Sequence, residues 1–185
     1  MSVYLRAALA LTCSLLAVQS ATAAPVTTKT LPEWMLGEWV VTHVYQARGM
    51  DRTYFDPYQY YPGKHMTITP RQLLLTDFGC EVESVTHSTG RFKAVFSEGI
   101  GGLTPGMFDG LPKFPEKITY EKVKCSHRLA VVKDDDSSDG KETHMVFEKT
   151  ISDQWNVIIR SYTEIDLPYY GNNYLQLRKV TPATS

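Results

Sequence analysis

The chain has 185 residues, with 19 Lys and Arg against 20 Asp and Glu and a formal net charge of −1. It carries no long basic stretch, which argues against a nucleic-acid partner and against electrostatic adhesion to anionic lipid. Hydrophobic residues make up 43% of it, enough for one domain with a sizeable core.

The N-terminus reads as an export signal. Arg6 precedes an apolar run of 12 residues, Ala7 to Val18, and Ala21-Thr22-Ala23 follows as a small-x-small cleavage site. The run is too short to span a bilayer, which takes about 20 apolar residues. Thr12 before Cys13 is a poor lipobox, so lipidation is the lesser alternative. Removal of residues 1–23 takes one basic residue and no acidic one, so the net charge moves from −1 to −2. Residues 24–30 then form a small, polar, flexible leader, and residues 31–182 form a single domain. The expected location is periplasmic or secreted, with no membrane span in the mature form. Cys80 and Cys125 survive cleavage, and an even count in an exported chain predicts one disulfide.

From Trp39 onward the chain reads as short strands separated by turn chemistry. The first runs from Trp39 to Ala47, with Trp39, Val41, His43 and Tyr45 on one face. A tyrosine-rich connection follows, holding Tyr54, Phe55, Tyr58, Tyr60 and Tyr61. His65 to Thr69 and Leu73 to Thr76 form a hairpin about Pro70-Arg71-Gln72. Val82 to Thr86 and Arg91 to Phe96 form a second pair about Ser88-Thr89-Gly90, with Phe92, Ala94 and Phe96 inward. Residues 97–117 are rich in Gly and Pro yet hold Ile100, Leu103, Met107, Phe108, Leu111 and Phe114. That composition predicts a packed-down flap or short helix. Strands at Ile118 to Cys125 and Arg128 to Lys133 precede an acidic turn, Asp134 to Lys141. Thr143 to Thr150 and Trp155 to Glu164 are expected to pair, and a loop through Tyr169 and Tyr170 leads to a last strand, Tyr174 to Val180. The sum is all-β: an antiparallel up-and-down barrel of about 8–9 strands with one disulfide, because closure removes both sheet edges.

Gly37-Glu38-Trp39 resembles the first-strand signature of the lipocalins. The resemblance implies an indole across the closed end of a barrel, with Arg178 of the last strand lying over it. Gly37, Trp39 and Arg178 are therefore the expected barrel-closing residues. Thr76-Asp77-Phe78 resembles the second lipocalin motif but lies too early, and the usual terminal helix has no room. The outline (signal, one disulfide, compact barrel) is also similar to periplasmic lysozyme-inhibitor barrels.

Catalytic and metal motifs are weak. No Gly-x-Ser-x-Gly and no phosphate-binding glycine pattern occurs. The five histidines lack zinc spacing, and the acidic turn puts Val146 where an EF-hand needs Glu, so no metal or other cofactor is expected. Glu81 with Glu83, and Glu164 with Asp166, alternate as acids on a solvent face would. The expected role is non-enzymatic binding of a protein partner, as an inhibitor or immunity-type protein against a cell-envelope enzyme. Its contact residues would be Tyr54, Phe55, Tyr58, Tyr60, Tyr61, Met107, Phe108, Tyr169 and Tyr170, since Tyr offers large contact area at low rotamer cost. A lipocalin-like carrier of a small apolar ligand, lined by Val41, Phe92, Phe96 and Phe147, is the alternative. An envelope hydrolase is the lower one.

Overall fold

A computed structural model describes residues 25–50, 56–75, 78–133, 142–147, 154–169 and 172–181. The expected signal segment, Tyr54, Phe55, Tyr170, Thr76-Asp77 and the expected acidic turn lie outside the described residues, as do the side chains of Phe147 and His144.

Among the described residues, ten strands form one antiparallel sheet. They are β1 (Thr27–Thr28), β2 (Gly37–Gln46), β3 (His65–Thr69), β4 (Gln72–Leu75), β5 (Phe78–Arg91), β6 (Lys117–Lys133), β7 (Glu142–Phe147), β8 (Gln154–Ser161), β9 (Glu164–Tyr169) and β10 (Asn173–Lys179). The circuit β2-β3-β4-β5-β6-β8-β9-β10 closes where β10 pairs with β2, so the barrel expected from the sequence forms. β1 hangs on β5, pairing Thr27 with Thr86 and Thr28 with Val85. This part of the leader is therefore docked, not loose.

Among the described residues two α-helices interrupt the meander, α1 (Pro57–Tyr60) and α2 (Phe92–Gly99). Asp56 caps α1 by accepting the Tyr58 N–H at 3.0 Å, and Pro57 occupies the first turn, where its missing N–H costs nothing.

The interior is filled by side chains. Trp39, Met66, Ile68, Leu73, Leu75, Ile165, Leu167 and Leu175 are each at most 2% exposed. Cys80 and Cys125 join this core as a disulfide between β5 and β6, with Cα atoms 5.4 Å apart. Such a loop of 45 residues stabilises the fold by about 4 kcal/mol on the chain-entropy account.

Four sequence expectations are corrected. First, alternation along β2 is broken. The register against β10 slips between Gln176 and Leu177, leaving Thr42 as the extra residue of a bulge. Trp39, Val41 and Val44 face inward, while His43 and Tyr45 turn outward and stack on each other. Second, Ser88-Thr89-Gly90 is strand, not turn, and Phe92 begins α2. Val95, Phe96 and Ile100 are buried there, and Ala94 is exposed. Third, β7 and β8 do not pair with each other among the described residues. Both lie along β6, against different lengths of it. Fourth, the run from Trp155 to Glu164 covers nearly all of β8, a turn and only the first residue of β9. The turn at Tyr162-Thr163 sends Glu164–Tyr169 back as β9.

Residues 92–116 form a strap. It leaves the sheet at Arg91 and rejoins it at Lys117, which are partners on one rung. Phe92 N–H donates to Glu116 O at 2.9 Å where the two ends meet. In between, the strap crosses the outside of the barrel. Phe96 and Phe108 pack with Ile118, Tyr120, Ile158 and Tyr174 in a second core, separate from the interior. Asn156, buried below α2, donates to the Val95 carbonyl at 3.0 Å. Phe92 and Phe96 thus lie outside the barrel, so they line no internal ligand cavity.

Candidate functional site

The described members of the expected contact set come from elements that meet at one end of β2, but four of these six, Tyr60, Tyr61, Phe108 and Tyr169, are structural. Gln46 N–H reaches the Tyr58 hydroxyl at 3.1 Å, Ala47 bridges to Phe108, and Arg48 N–H donates to Met107 O at 2.8 Å. Arg48 also holds the Gly106 carbonyl and faces Asp109 at 3.7 Å. Tyr61, Phe108 and Tyr169 are buried, and Tyr60 is half-buried. Tyr61 and Tyr169 pack edge to face across the interior, 5.7 Å between centroids. Tyr169 is a strand residue of β9, which explains why a loop assignment misplaced it. Tyr58 and Met107 stay exposed at 38% and 44%. Met50 joins them at 36%, its sulfur accepting from Asn172 at 3.2 Å. Met50 was not foreseen, because a lone Met in a polar connection gives no signal.

The opposite end is closed by Trp39. Gly37 opens β2 with φ +114°, a conformation that suits glycine. Trp39 is fully buried, and its indole N–H donates to Met35 O at 2.7 Å. The cation over the indole is Lys179, with Nζ 5.7 Å from the ring centroid, and not Arg178. Arg178 is on the outward face and pairs with Glu164 at 3.0 Å. The one-residue difference follows from strand parity: Leu177 and Lys179 share the inward side, and Arg178 takes the other.

Beside this closed end lies a cleft of about 580 Å³, bounded by the leader and the inner face of the β5–β6 hairpin. Leu31, Trp34, Leu36 and Val85 give it apolar walls, and His87 and Glu121 stand on its strand side. Glu121 is buried, 3% exposed, and its Oε1 lies 2.8 Å from His87 Nδ1. Their positions are direct partners on the β5–β6 ladder. Among the described contacts, no hydroxyl or thiol is hydrogen-bonded to the His87 ring. Sequence reasoning passed over Glu121. The available signal was its phase, since Glu121, Val123 and Cys125 alternate as one inward face, where a carboxylate is out of place.

A third polar group is sealed under the strap. Asp166 is fully buried and accepts a hydrogen bond from Arg160 Nε. The Arg160 guanidinium lies over the Phe114 ring at 4.5 Å. Burial pushes the Asp166 carboxyl from its usual 3.8 up to about 6, against the opposing pull of Arg160. Burial also raises the Tyr174 hydroxyl, and the neighbouring Asp166 charge adds to that. Glu164 behaves as the solvent-face acid expected from alternation, but Asp166 does not.

No group of three or more His, Cys, Asp or Glu among the described residues is placed to hold a metal ion. No helix among them is long and apolar enough to cross a membrane. No family model, no curated protein and no solved structure matches the chain.

Proposed function

We propose that this is an exported, non-enzymatic binding protein whose partner is another protein of the cell envelope. In this reading it acts as an inhibitor or immunity-type protein after cleavage near Ala23. The observation that carries the reading is the contrast between a barrel interior filled by side chains and the exposed Met50, Tyr58 and Met107 at one end. Aromatic and Met side chains held out on an anchored backbone are the kind that form the energetic centre of protein interfaces. Arg48 supplies the anchor through Gly106, Met107 and Asp109. The buried disulfide is compatible with an oxidising compartment. The filled interior weighs against a carrier with its ligand inside the barrel.

The test is site-specific photo-crosslinking in the native envelope. A crosslinker at Met107 should give one stoichiometric protein adduct, and a crosslinker at exposed Tyr162, beyond the other end of the barrel, should not. Tyr58→Ala with Met50→Ser should remove the adduct while the protein stays folded, its melting temperature lower by about 2–10 °C because Gln46 N–H loses its partner. Equal adducts from both positions, or an adduct unmoved by the double substitution, would end the proposal. If the adduct is a cell-wall hydrolase, adding the purified protein should lower that enzyme's rate.

A further inference from the structure

We infer that the cleft beside Trp34 is a second binding site, independent of the loop end, and that it takes a small organic cation with an apolar body. Its size falls within the range of about 300–1,000 Å³ usual for small-molecule sites. Leu31, Leu36 and Val85 form apolar walls, and Trp34 offers an aromatic surface beside them. Apart from the His87 imidazole, the charged side chains in it have one sign. Glu121 stands on the strand side, Glu33 belongs to the leader side, and no Lys or Arg lines it.

The polar partner of Glu121 is His87, an imidazole 59% exposed in its side chain that is charged only when protonated. Among the described contacts the His87 ring meets only one carboxylate oxygen of Glu121, Oε1 at 2.8 Å. A buried carboxylate facing an apolar cleft then favours an ammonium and disfavours an anion. Trp34 adds to the preference, because an indole face attracts cations. The same features oppose a fatty acid or another apolar anion, whose carboxylate would meet Glu121 and Glu33.

The site also has a physical reason to persist. The leader that bounds it is tied at several points. Thr27 and Thr86 hydroxyls meet at 2.9 Å, His87 N–H donates to Val26 O at 3.3 Å, and Leu31 N–H donates to Pro70 O at 2.9 Å. The cleft is thus framed by hydrogen-bonded backbone on the leader side and by two ladder strands on the other.

Three probes of one length separate the terms: hexylamine, hexanol and hexanoate, each titrated into the purified mature protein and followed by NMR of the Trp34, Leu36 and Val85 side chains. Hexylamine should bind at least about ten-fold tighter than hexanoate, with hexanol between them, a step equal to about 1.4 kcal/mol. Glu121→Gln should bring hexylamine down to the level of hexanol and leave hexanol unchanged. Because removing a buried carboxylate can harm folding, Thr30→Arg provides the second arm. Thr30 is exposed on the leader and lines the cleft. A cation there should lower hexylamine affinity and raise that of hexanoate. Equal binding of amine and carboxylate, or an order unchanged by both variants, would overturn the inference. So would resonance shifts confined to residues outside the cleft. Crosslinking at Met107 is unaffected by any of these outcomes, so the loop-end proposal fails or stands separately.

Discussion

Asp166 gives the sharpest physical test of the fold. Its carboxyl is buried between the barrel wall and the strap, and it ionises at about 6 in place of the usual 3.8. The groups facing it are Arg160 on β8, Glu164 on β9, Tyr174 on β10 and Tyr45 on β2. A carboxyl whose folded value is raised holds its proton more tightly in the native state than in the unfolded one. Its contribution to stability is therefore complete below the unfolded value and is lost as pH rises through about 6. A shift of about two units corresponds to about 2–3 kcal/mol. Asp166→Asn removes this titration and leaves the other groups in place. The melting temperature of the variant, minus that of the parent, should grow by roughly 5–10 °C between about pH 3.5 and about pH 7.5. The lost Arg160 partner needs no separate allowance in the pH difference, because its pull on the ionised carboxylate is already contained in the folded value of about 6. Parallel curves would mean that Asp166 ionises at its ordinary value, and that the strap does not seal it from water.

The remaining predictions concern the two ends and the helix. Cys80→Ser with Cys125→Ser should lower unfolding free energy in urea by about 4 kcal/mol, and a loss below about 1 kcal/mol would contradict the closure argument. Lys179→Met should cost about 1–2 kcal/mol through its cation–indole contact and its bond to Trp34 O, with Arg178→Met within about 0.5 kcal/mol of the parent. If Arg178→Met is the more damaging of the two in chemical denaturation, the assignment of the closing cation is wrong. Gly99→Ala would place a Cβ 2.9 Å from Pro168 Cβ, so it should lower the melting temperature by the equivalent of about 1–3 kcal/mol. A variant that melts above the parent would show that α2 can shift off β9.

The sequence reveals strands best where one face alone is buried. In His65–Thr69 and Gln72–Leu75 the buried residues Met66, Ile68, Leu73 and Leu75 alternate, and the turn of the expected hairpin falls between them. It misleads where two spacings coexist. Phe92, Ala94 and Phe96 alternate, yet Phe92 and Phe96 are also one helical turn apart, and the helical spacing prevails because Val95, Phe96 and Ile100 find a partner surface outside the barrel. Gly90 looks like turn punctuation. Its real constraint is packing, since a Cβ there would sit 2.9 Å from Val95 Cγ2 and 3.4 Å from Tyr120 Cε1. Bulges are likewise invisible to a period of two, and the one at Thr42 alone reverses the facing of His43 and Tyr45. For the site, tyrosine content drew attention to the correct loops but could not separate Tyr58, which stays out, from Tyr61 and Tyr169, which are core. Glu121 and His87 are far apart in the chain and become partners only through the β5–β6 register.

The strap divides the molecule into two units that can fail separately. It begins and ends on the rung Arg91–Lys117, so lifting it breaks no hydrogen bond of the closed circuit. Its backbone ties to the two residues after β2 are local ones, at Ala47–Phe108 and Arg48–Met107. Segments attached to a sheet in this way can open locally without global unfolding. Detached, the strap would uncover Asp166, Arg160 and Tyr174 while the ring stayed shut. The barrel can therefore keep its shape through a change that turns one flank from apolar to ionic.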